Sequence, residues 1–295
     1  MKKKLLIIIG IIILVIVILV AIGSSSPSSV SIDGSTLSLP VKTESDIQKL
    51  KDVSDPSISY DLVRENPYSH KREVVSWGGK VFVEPRQSSS GVELQVFLNN
   101  VSDKNFYVIY EEPSFQVKRD DFVMVYGIVD GTYRGKNLMG ATLEIPKIKA
   151  GYIEKTDRAQ AVAPAIKTIT LDKIVKQHGF NVTLDKLELA ESETRVYLTI
   201  KNSSDKKVSF YTHGAKLLQN SKQLEPKMIF EETEKLPSEF LSGIEASGVL
   251  VFPEVNPGGS LKLVLQEPYA ETSFEEMMAG EADFEEMVFE IPLPK

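Results

Sequence analysis

The sequence predicts an all-β protein with an N-terminal transmembrane helix, a small Greek-key barrel and a β-sandwich. Three observations carry this prediction. An unbroken apolar run fills residues 5–22, short stretches of alternating apolar and polar residues follow residue 73, and turn-forming Gly, Asn, Asp and Pro separate these stretches. Alternation with a period of two is typical of half-buried strands.

The apolar run Leu5–Ile22 follows three lysines at positions 2–4, and residues 1–22 are predicted to be a membrane anchor. As a helix the run reaches about 27 Å, close to the hydrocarbon thickness of a bilayer. Lysines before the run keep the N-terminus in the cytoplasm. We therefore expect a single-pass protein of the cell membrane with its bulk extracellular. The alternative is a cleaved signal peptide and a secreted protein, since Ala21-Ile22-Gly23 resembles a cleavage site.

Composition excludes several classes of function. The chain has no cysteine, which rules out disulfides and thiol catalysis. Its formal net charge is −7; residues 57–155 carry equal numbers of basic and acidic side chains, and acidic ones dominate residues 165–295. Neither half has the basic excess that binds a phosphate backbone. The sequence therefore predicts no nucleic-acid partner.

The first half of the predicted ectodomain divides into a stalk and a barrel. Residues 23–45 are rich in Ser with scattered Pro and Gly, a composition that indicates a flexible stalk. Residues 46–155 contain two short helices and then five strands, of which the one carrying Val92, Leu94, Val96 and Leu98 alternates most clearly. Gly78-Gly79 indicates a bend within the first strand. Five bent strands are typical of a small Greek-key barrel of the OB type.

The second half is predicted to be a β-sandwich over residues 167–295. A polar, Ala- and Pro-rich segment, residues 156–166, indicates a linker before it. Val196, Leu198 and Ile200 alternate with polar residues, and so does a second run over residues 261–265. About seven short strands at such spacing favour an immunoglobulin-like sandwich.

Two resemblances to known families add to this interpretation. The stretch Ser59–Gly79, the segment DDFVMVYGIVDGTY (120–133) and the ending Ile145–Ala150 resemble OB-like domains on surface proteins of Gram-positive bacteria. Residues 184–226 and SGVLVFPEV (247–255) are similar to the telokin-like, immunoglobulin-type extracellular domain family of unknown function. The resemblances imply a membrane-anchored prokaryotic surface protein with two binding modules. They supply neither a catalytic residue nor a ligand.

The barrel offers a candidate ligand surface, because OB barrels bind chains of nucleotides or sugars through aromatic platforms with nearby cations. Phe97 lies on the polar face of its strand and is the best candidate for an exposed platform. The predicted ligand-binding residues are Trp77, Phe97, Tyr107, Tyr110, Arg119, Arg134 and Lys136. The alternative is that these are core and rim residues of a barrel that needs aromatic side chains to fill it.

No sequence motif indicates catalysis. The three histidines lack metal-ligand spacing, and neither Gly-x-Ser-x-Gly nor His-Glu-x-x-His occurs. We therefore expect a monomeric, non-catalytic binding or scaffolding protein without a metal or cofactor, engaging an envelope glycan or another protein. The alternative is a carbohydrate-active enzyme or enzyme subunit, which would need two carboxylates about 5–10 Å apart in a cleft. The sequence does not locate such a pair.

Overall fold

The computed structural model describes residues 16–17, 29–32, 35–54, 58–137, 142–228, 235–271 and 284–293. The chain divides into two compact units, Met1–Val162 and Ala163–Lys295. Strands predominate in the described part of both units, as the sequence predicts. Residues 156–166, the predicted linker, contain the end of one long strand, a short helix and the start of the next strand.

The first unit combines a barrel with three short helices. The strands are β1 (Ile16–Val17), β2 (Ser29–Ile32), β3 (Ser35–Ser38), β4 (Val74–Val81), β5 (Arg86–Ser88), β6 (Gly91–Leu98), β7 (Asn105–Tyr110), β8 (Phe122–Asn137) and β9 (Thr142–Thr156). The helices are α1 (Glu44–Val53), α2 (Tyr60–Glu65) and α3 (Arg158–Val162). Thr43 and Ser59 begin α1 and α2, because each side chain accepts a hydrogen bond from a backbone N–H of the first turn.

Five strands close the barrel in the order β4, β6, β7, β9, β8 and back to β4. All neighbouring pairs are antiparallel except β7 and β9, which are parallel. The inward residues of β6, Val92, Leu94 and Val96, are at most 1% exposed. A Cβ atom on Gly79 would collide with the carbonyl oxygen of Phe97. Glycine is therefore required where β4 approaches β6.

The Ser-rich segment 23–45 is not a flexible stalk where the structure describes it. Strands β2 and β3 form an antiparallel hairpin, and an ordered segment leads from it into α1. The apolar residues scattered among the serines pack together outside β8, and this contact stabilises the hairpin. The buried residues of this cluster are Val30, Leu37, Leu39, Val41, Leu50 and Ile128.

The predicted transmembrane helix is also corrected. In the described ranges no helix is long and apolar enough to cross a membrane. The longest of them, α1, has 10 residues and reaches about 15 Å, half the hydrocarbon thickness of a bilayer. Most of Leu5–Ile22 lies outside the described residues, but Ile16–Val17 form an extended strand on Lys136 and Asn137 of β8. β-Branched residues favour such strands. Because the described ranges contain no helix able to cross a membrane, the predicted membrane-spanning helix and the predicted single-pass location in the cell membrane are both wrong.

The second unit is a β-sandwich. Its strands are β10 (Ala165–Gln177), β11 (Phe180–Ala190), β12 (Glu193–Asn202), β13 (Val208–Ser209), β14 (Lys216–Gln219), β15 (Lys222–Leu224), β16 (Glu239–Phe240), β17 (Glu245–Pro253), β18 (Gly259–Leu265), β19 (Tyr269–Ala270) and β20 (Met287–Leu293). One sheet has the order β10-β11-β12-β17, a second the order β15-β14-β18-β20, and β16-β13-β19 form a small third sheet. The inward residues of the sheets share one apolar core.

Candidate functional site

The outer face of β6 and β7 carries polar and aromatic side chains. Since Val92, Leu94 and Val96 point inward, alternation places the residues between and after them on the opposite face. Antiparallel pairing sets Gln95 opposite Tyr107 and Phe97 opposite Asn105. We call this surface the β6–β7 patch; its residues are Glu93, Gln95, Phe97, Asn105 and Tyr107.

Two stacked aromatic pairs flank Gln95 on the patch. The rings of Phe82 and Phe97 are 3.7 Å apart and inclined by 9°, and those of Tyr107 and Tyr133 are 4.0 Å apart and inclined by 14°. The backbone N–H of Phe82 donates to the carbonyl of Gln95 at 3.2 Å. Phe82 follows β4 and Tyr133 lies on β8, so two distant segments of the chain supply the rings that complete the stacks.

Gln95 itself is 1% exposed, yet neither its amide nitrogen nor its amide oxygen has a hydrogen-bond partner among the described residues. The same holds, within those residues, for the side-chain oxygen of Asn105 and the hydroxyl of Tyr133. A buried polar atom left without a partner costs about 1–3 kcal/mol. Native proteins contain few such atoms, and each calls for an explanation. Two of these side chains, Gln95 and Asn105, belong to the patch, and the third, Tyr133, stacks on the patch residue Tyr107.

Tyr107 is held in place by a short hydrogen bond. Its hydroxyl donates to Oε2 of Glu93 at 2.6 Å. Burial and this bond to Glu93 raise the pKa of Tyr107 far above its usual range, so the phenol stays protonated. Arg86 on β5 lies opposite Glu93 in the strand pairing, and the opposed charges leave the patch with little net charge. Burial likewise raises the pKa of Tyr133, against the opposing charge of Arg86.

The aromatic residues predicted from the sequence fall into two groups. Phe97 and Tyr107 lie together on the patch, although Phe97 is half-buried rather than freely exposed. Trp77 and Tyr110 point into the barrel, where they are 4% and 5% exposed. The indole N–H of Trp77 donates to the carbonyl of Ile58 at 3.1 Å, and burial raises the pKa of Tyr110 to about 12. These two residues are core residues and not platforms.

The predicted cations lie apart from the patch residues. Arg119 is exposed on the loop before β8, with its Nε 3.7 Å from a carboxylate oxygen of Asp120. Arg134 is exposed on β8 and forms an ion pair with Glu144 at 2.8 Å. Lys136 is exposed two residues further along β8. None of the three contributes a hydrogen bond to the patch in the described structure.

Sequence reasoning missed the residues that complete the patch. The alternation of β6 places Gln95 on its polar face, and that signal was available. The rings of Phe82 and Tyr133 stack on its neighbours Phe97 and Tyr107, and no local pattern in the sequence connects them to Gln95. Tyr133 ends the segment DDFVMVYGIVDGTY, and nothing in that segment indicates that it stacks on Tyr107.

A second concave surface lies on the outer face of the sandwich. Register shifts between Thr170 and Lys173 and between Leu184 and Lys186 bulge β10 and β11 where Asp172 and Asp185 lie. Both aspartates line a cleft of about 280 Å³. The Thr199 hydroxyl donates to Asp185 at 2.9 Å. Burial, and then the charge of Asp172, raise the pKa of Asp185 despite that bond.

Beside this cleft lies a buried charge network. Arg195, only 2% exposed, donates to Glu188 at 2.9 Å and to Glu193 at 2.8 Å. Lys186 and the hydroxyl of Tyr197 also donate to Glu188, at 2.6 and 2.8 Å. Burial alone would raise the pKa of Glu188, but these hydrogen bonds outweigh it and lower the pKa. The carboxylate of Glu188 is thus satisfied, whereas Nη2 of the buried Arg195 has no hydrogen-bond partner among the described residues.

Metal ligation finds no support in the described part of the chain, where no group of three His, Cys, Asp or Glu side chains is placed to hold an ion. The described residues thus form an all-β protein with two candidate binding surfaces. One is the polar and aromatic β6–β7 patch on the barrel, and the other is the cleft on the sandwich.

Comparison with known proteins adds little to this description. No family model and no curated protein matches the chain. A functionally unknown protein from Listeria monocytogenes EGD-e is similar over 45% of this chain and 88% of its own, at 11% identity and a TM-score of 0.32. The yjhA protein from Bacillus subtilis is similar over 42% of this chain and 98% of its own, at 20% identity and a TM-score of 0.32. These scores are too low to support an argument about fold or function.

Proposed function

We propose that this protein is a non-catalytic binding protein whose barrel holds a carbohydrate on the β6–β7 patch. The observation that carries the proposal is the Gln95 amide, buried between two aromatic stacks without a hydrogen-bond partner among the described residues. A ligand that bonds to this amide removes a cost that the free protein bears.

The chemistry of the patch favours a sugar carrying an acetamido group. A glutamine amide offers donors and an acceptor in one plane, and an acetamido group offers their complement. Aromatic side chains such as Phe97 and Tyr107 give apolar faces against which the C–H surface of a sugar ring packs. The near-neutral charge of the patch is unsuited to a polyanion, whose binding depends on excess Lys and Arg.

The position of the patch also supports the proposal. In sequence order β6 and β7 are the second and third strands of the closed barrel. OB barrels bind oligosaccharides or oligonucleotides on the face of these strands, and the observed strand order resembles theirs. Sequence resemblance and strand order thus favour the same surface.

The test is a calorimetric titration of the full-length protein with the β-1,4-linked tetrasaccharide of N-acetylglucosamine. We expect saturable binding that Gln95→Met weakens about tenfold, because one lost hydrogen bond to a buried amide is worth about 1.4 kcal/mol. The matched control is Gln219→Met, since Gln219 is also buried but lies in the other unit with its amide bonded at 2.8 and 2.9 Å. Equal binding by the Gln95 variant and the wild type would refute the proposal.

The same sample tests the predicted alternative, a carbohydrate-active enzyme. The sandwich cleft brings Asp172 and Asp185 to one opening, and a carboxyl with a raised pKa suits a general acid. Mass spectrometry after prolonged incubation should show the tetrasaccharide intact. Cleavage that is lost in Asp185→Asn would replace the binding proposal with an enzymatic one.

A further inference from the structure

We infer that Tyr133 is a gate: its ring occupies on Tyr107 the position that a ligand ring takes, and it must leave before a ligand reaches Gln95. The inference rests on the proposed function and adds how access to that site is controlled. It makes Tyr133 a residue that sets affinity without belonging to the bound state.

The stacked pair has one fixed and one loosely held member. Tyr107 lies in the middle of the barrel sheet, and its hydroxyl is bonded to Glu93 at 2.6 Å. Tyr133 stacks on it at 4.0 Å, but the Tyr133 hydroxyl has no partner in the described part of the chain. Tyr107 therefore serves as the platform, and Tyr133 is the member that can leave.

Tyr133 lies on a part of β8 that the barrel does not hold. Strand β8 pairs with β4 over Phe122–Ile128. Beyond a register shift between Val129 and Thr132, residues 132–135 of β8 pair with β9 in the described structure. Gly131, within the shift, has a φ of 88° that favours glycine. This arm pairs with β9 and, at Lys136 and Asn137, with the two residues of β1. It lacks the second long neighbour that β4 gives to the barrel part of β8, so it moves more easily than the barrel.

Two opposing terms set the gate near balance. In the closed arrangement Tyr133 lies on Tyr107, and this stacking raises the equilibrium constant for closing by a factor of about two to ten. Burial of the Tyr133 hydroxyl lowers the same equilibrium constant by a factor of about five or more, because the hydroxyl can form hydrogen bonds with water once the arm opens. Apparent affinity falls in proportion to the fraction of molecules that are open. Two substitutions at one position should therefore change the affinity in opposite directions.

The experiment measures the dissociation constant of the N-acetylglucosamine tetrasaccharide for two variants of the full-length protein. Tyr133→Phe removes only the hydroxyl, so the open fraction falls from about a half to about a sixth or less, and we expect binding about threefold weaker or more. Tyr133→Ala removes the stack, so nearly all molecules are open and we expect binding about twofold tighter. Tyr269→Phe, at a tyrosine 65% exposed in the other unit, is the matched control and should leave the affinity unchanged. Weaker binding in both Tyr133 variants, or no change in either, would overturn the gate.

A measurement without ligand separates the gate from the proposed function. In hydroxyl-radical footprinting, the oxidation rate of Tyr107 should be higher in Tyr133→Ala than in the wild type. It should be lower in Tyr133→Phe than in the wild type. Equal rates in all three proteins would overturn the gate whatever the tetrasaccharide does. If these rates differ as expected while Gln95→Met leaves binding unchanged, the gate stands and the carbohydrate proposal fails.

Discussion

Replacing two buried glutamines by methionine should have opposite effects on stability. Gln95 is 1% exposed and Gln219 is 4% exposed, so both substitutions act in the interior. The amide of Gln95 has no hydrogen-bond partner among the described residues. The amide of Gln219 donates to the carbonyls of Asn256 and Gly258 and accepts from the N–H of Asn256. Methionine is close to glutamine in shape and carries no amide.

The expected magnitudes follow from these contacts. Gln95→Met removes two buried polar atoms without breaking a hydrogen bond to a described residue, so the free energy of unfolding of the barrel should rise by about 1–3 kcal/mol. Gln219→Met removes hydrogen bonds of 2.8, 3.3 and 2.9 Å. Each contributes about 0.5–1.5 kcal/mol, so the loss of all three should destabilise the sandwich by about 1.5–4.5 kcal/mol.

Urea unfolding measures the two effects with a separate probe for each unit. Trp77 is the one tryptophan of the chain and lies in the barrel core, so its fluorescence reports on the barrel. Hydrogen exchange read by mass spectrometry follows β14 and β18 in the sandwich. Separate probes are needed because a chain with two units need not unfold in one step.

A loss of barrel stability in Gln95→Met, equal in sign to that of Gln219→Met, would refute the reasoning. It would mean that the Gln95 amide makes a favourable interaction in the free protein. The Gln95 side chain would then be a structural element of the barrel rather than a group kept for a ligand.

Three further substitutions test the physical account. Glu188→Gln should destabilise the sandwich by about 3 kcal/mol at pH 7, because it leaves the buried Arg195 less well paired. The pKa of Glu188 is lowered, so its contribution to stability is fully present above its ordinary value of 4.5 and is lost as the pH falls through the lowered pKa. The difference in melting temperature between variant and wild type should therefore narrow as the pH falls below 4.5. Asp185→Asn should have the opposite effect. The pKa of Asp185 is raised in the wild type, so ionisation of Asp185 destabilises the fold as the pH rises above 3.8. The variant should therefore have a higher melting temperature than the wild type at pH 7 and the same melting temperature at pH 3. Gly79→Ala should destabilise the barrel by about 3 kcal/mol in urea, since the new Cβ meets the Phe97 carbonyl oxygen; Gly258→Ala, with no atom within 4 Å of its Cβ, should unfold like wild type.

Local patterns in the sequence predict much of the fold. Alternation identifies the inward residues of β6, and the Gly78-Gly79 pair marks the place where β4 closely approaches its neighbours. The Ser-rich segment shows the limit of composition. Its few apolar residues, such as Leu37 and Leu39, suffice to bury a hairpin once β8 provides a surface. The average composition of a segment does not show whether its few apolar residues find a surface to pack on, and that contact decides whether the segment folds.

The candidate site depends on contacts that sequence order hides. Tyr133 stacks on Tyr107 from a strand that begins after an intervening loop, and Phe82 stacks on Phe97 from the end of another strand. Their aromatic character was visible, but their partners follow from how the barrel closes. Hydropathy has a similar limit at Ile16 and Val17, whose apolar, β-branched side chains suit a strand as well as a helix.

The most direct test of the central claim is to observe the side-chain amide of Gln95 during binding. In a ¹⁵N–¹H spectrum of the full-length protein, its NH₂ signals are identified by their loss in Gln95→Met. Titration with the N-acetylglucosamine tetrasaccharide should shift these signals to saturation and slow their exchange with water, because the amide gains a hydrogen-bonded partner. Gln95 signals that shift no more than those of Gln219 would contradict the claim that the β6–β7 patch is the binding site.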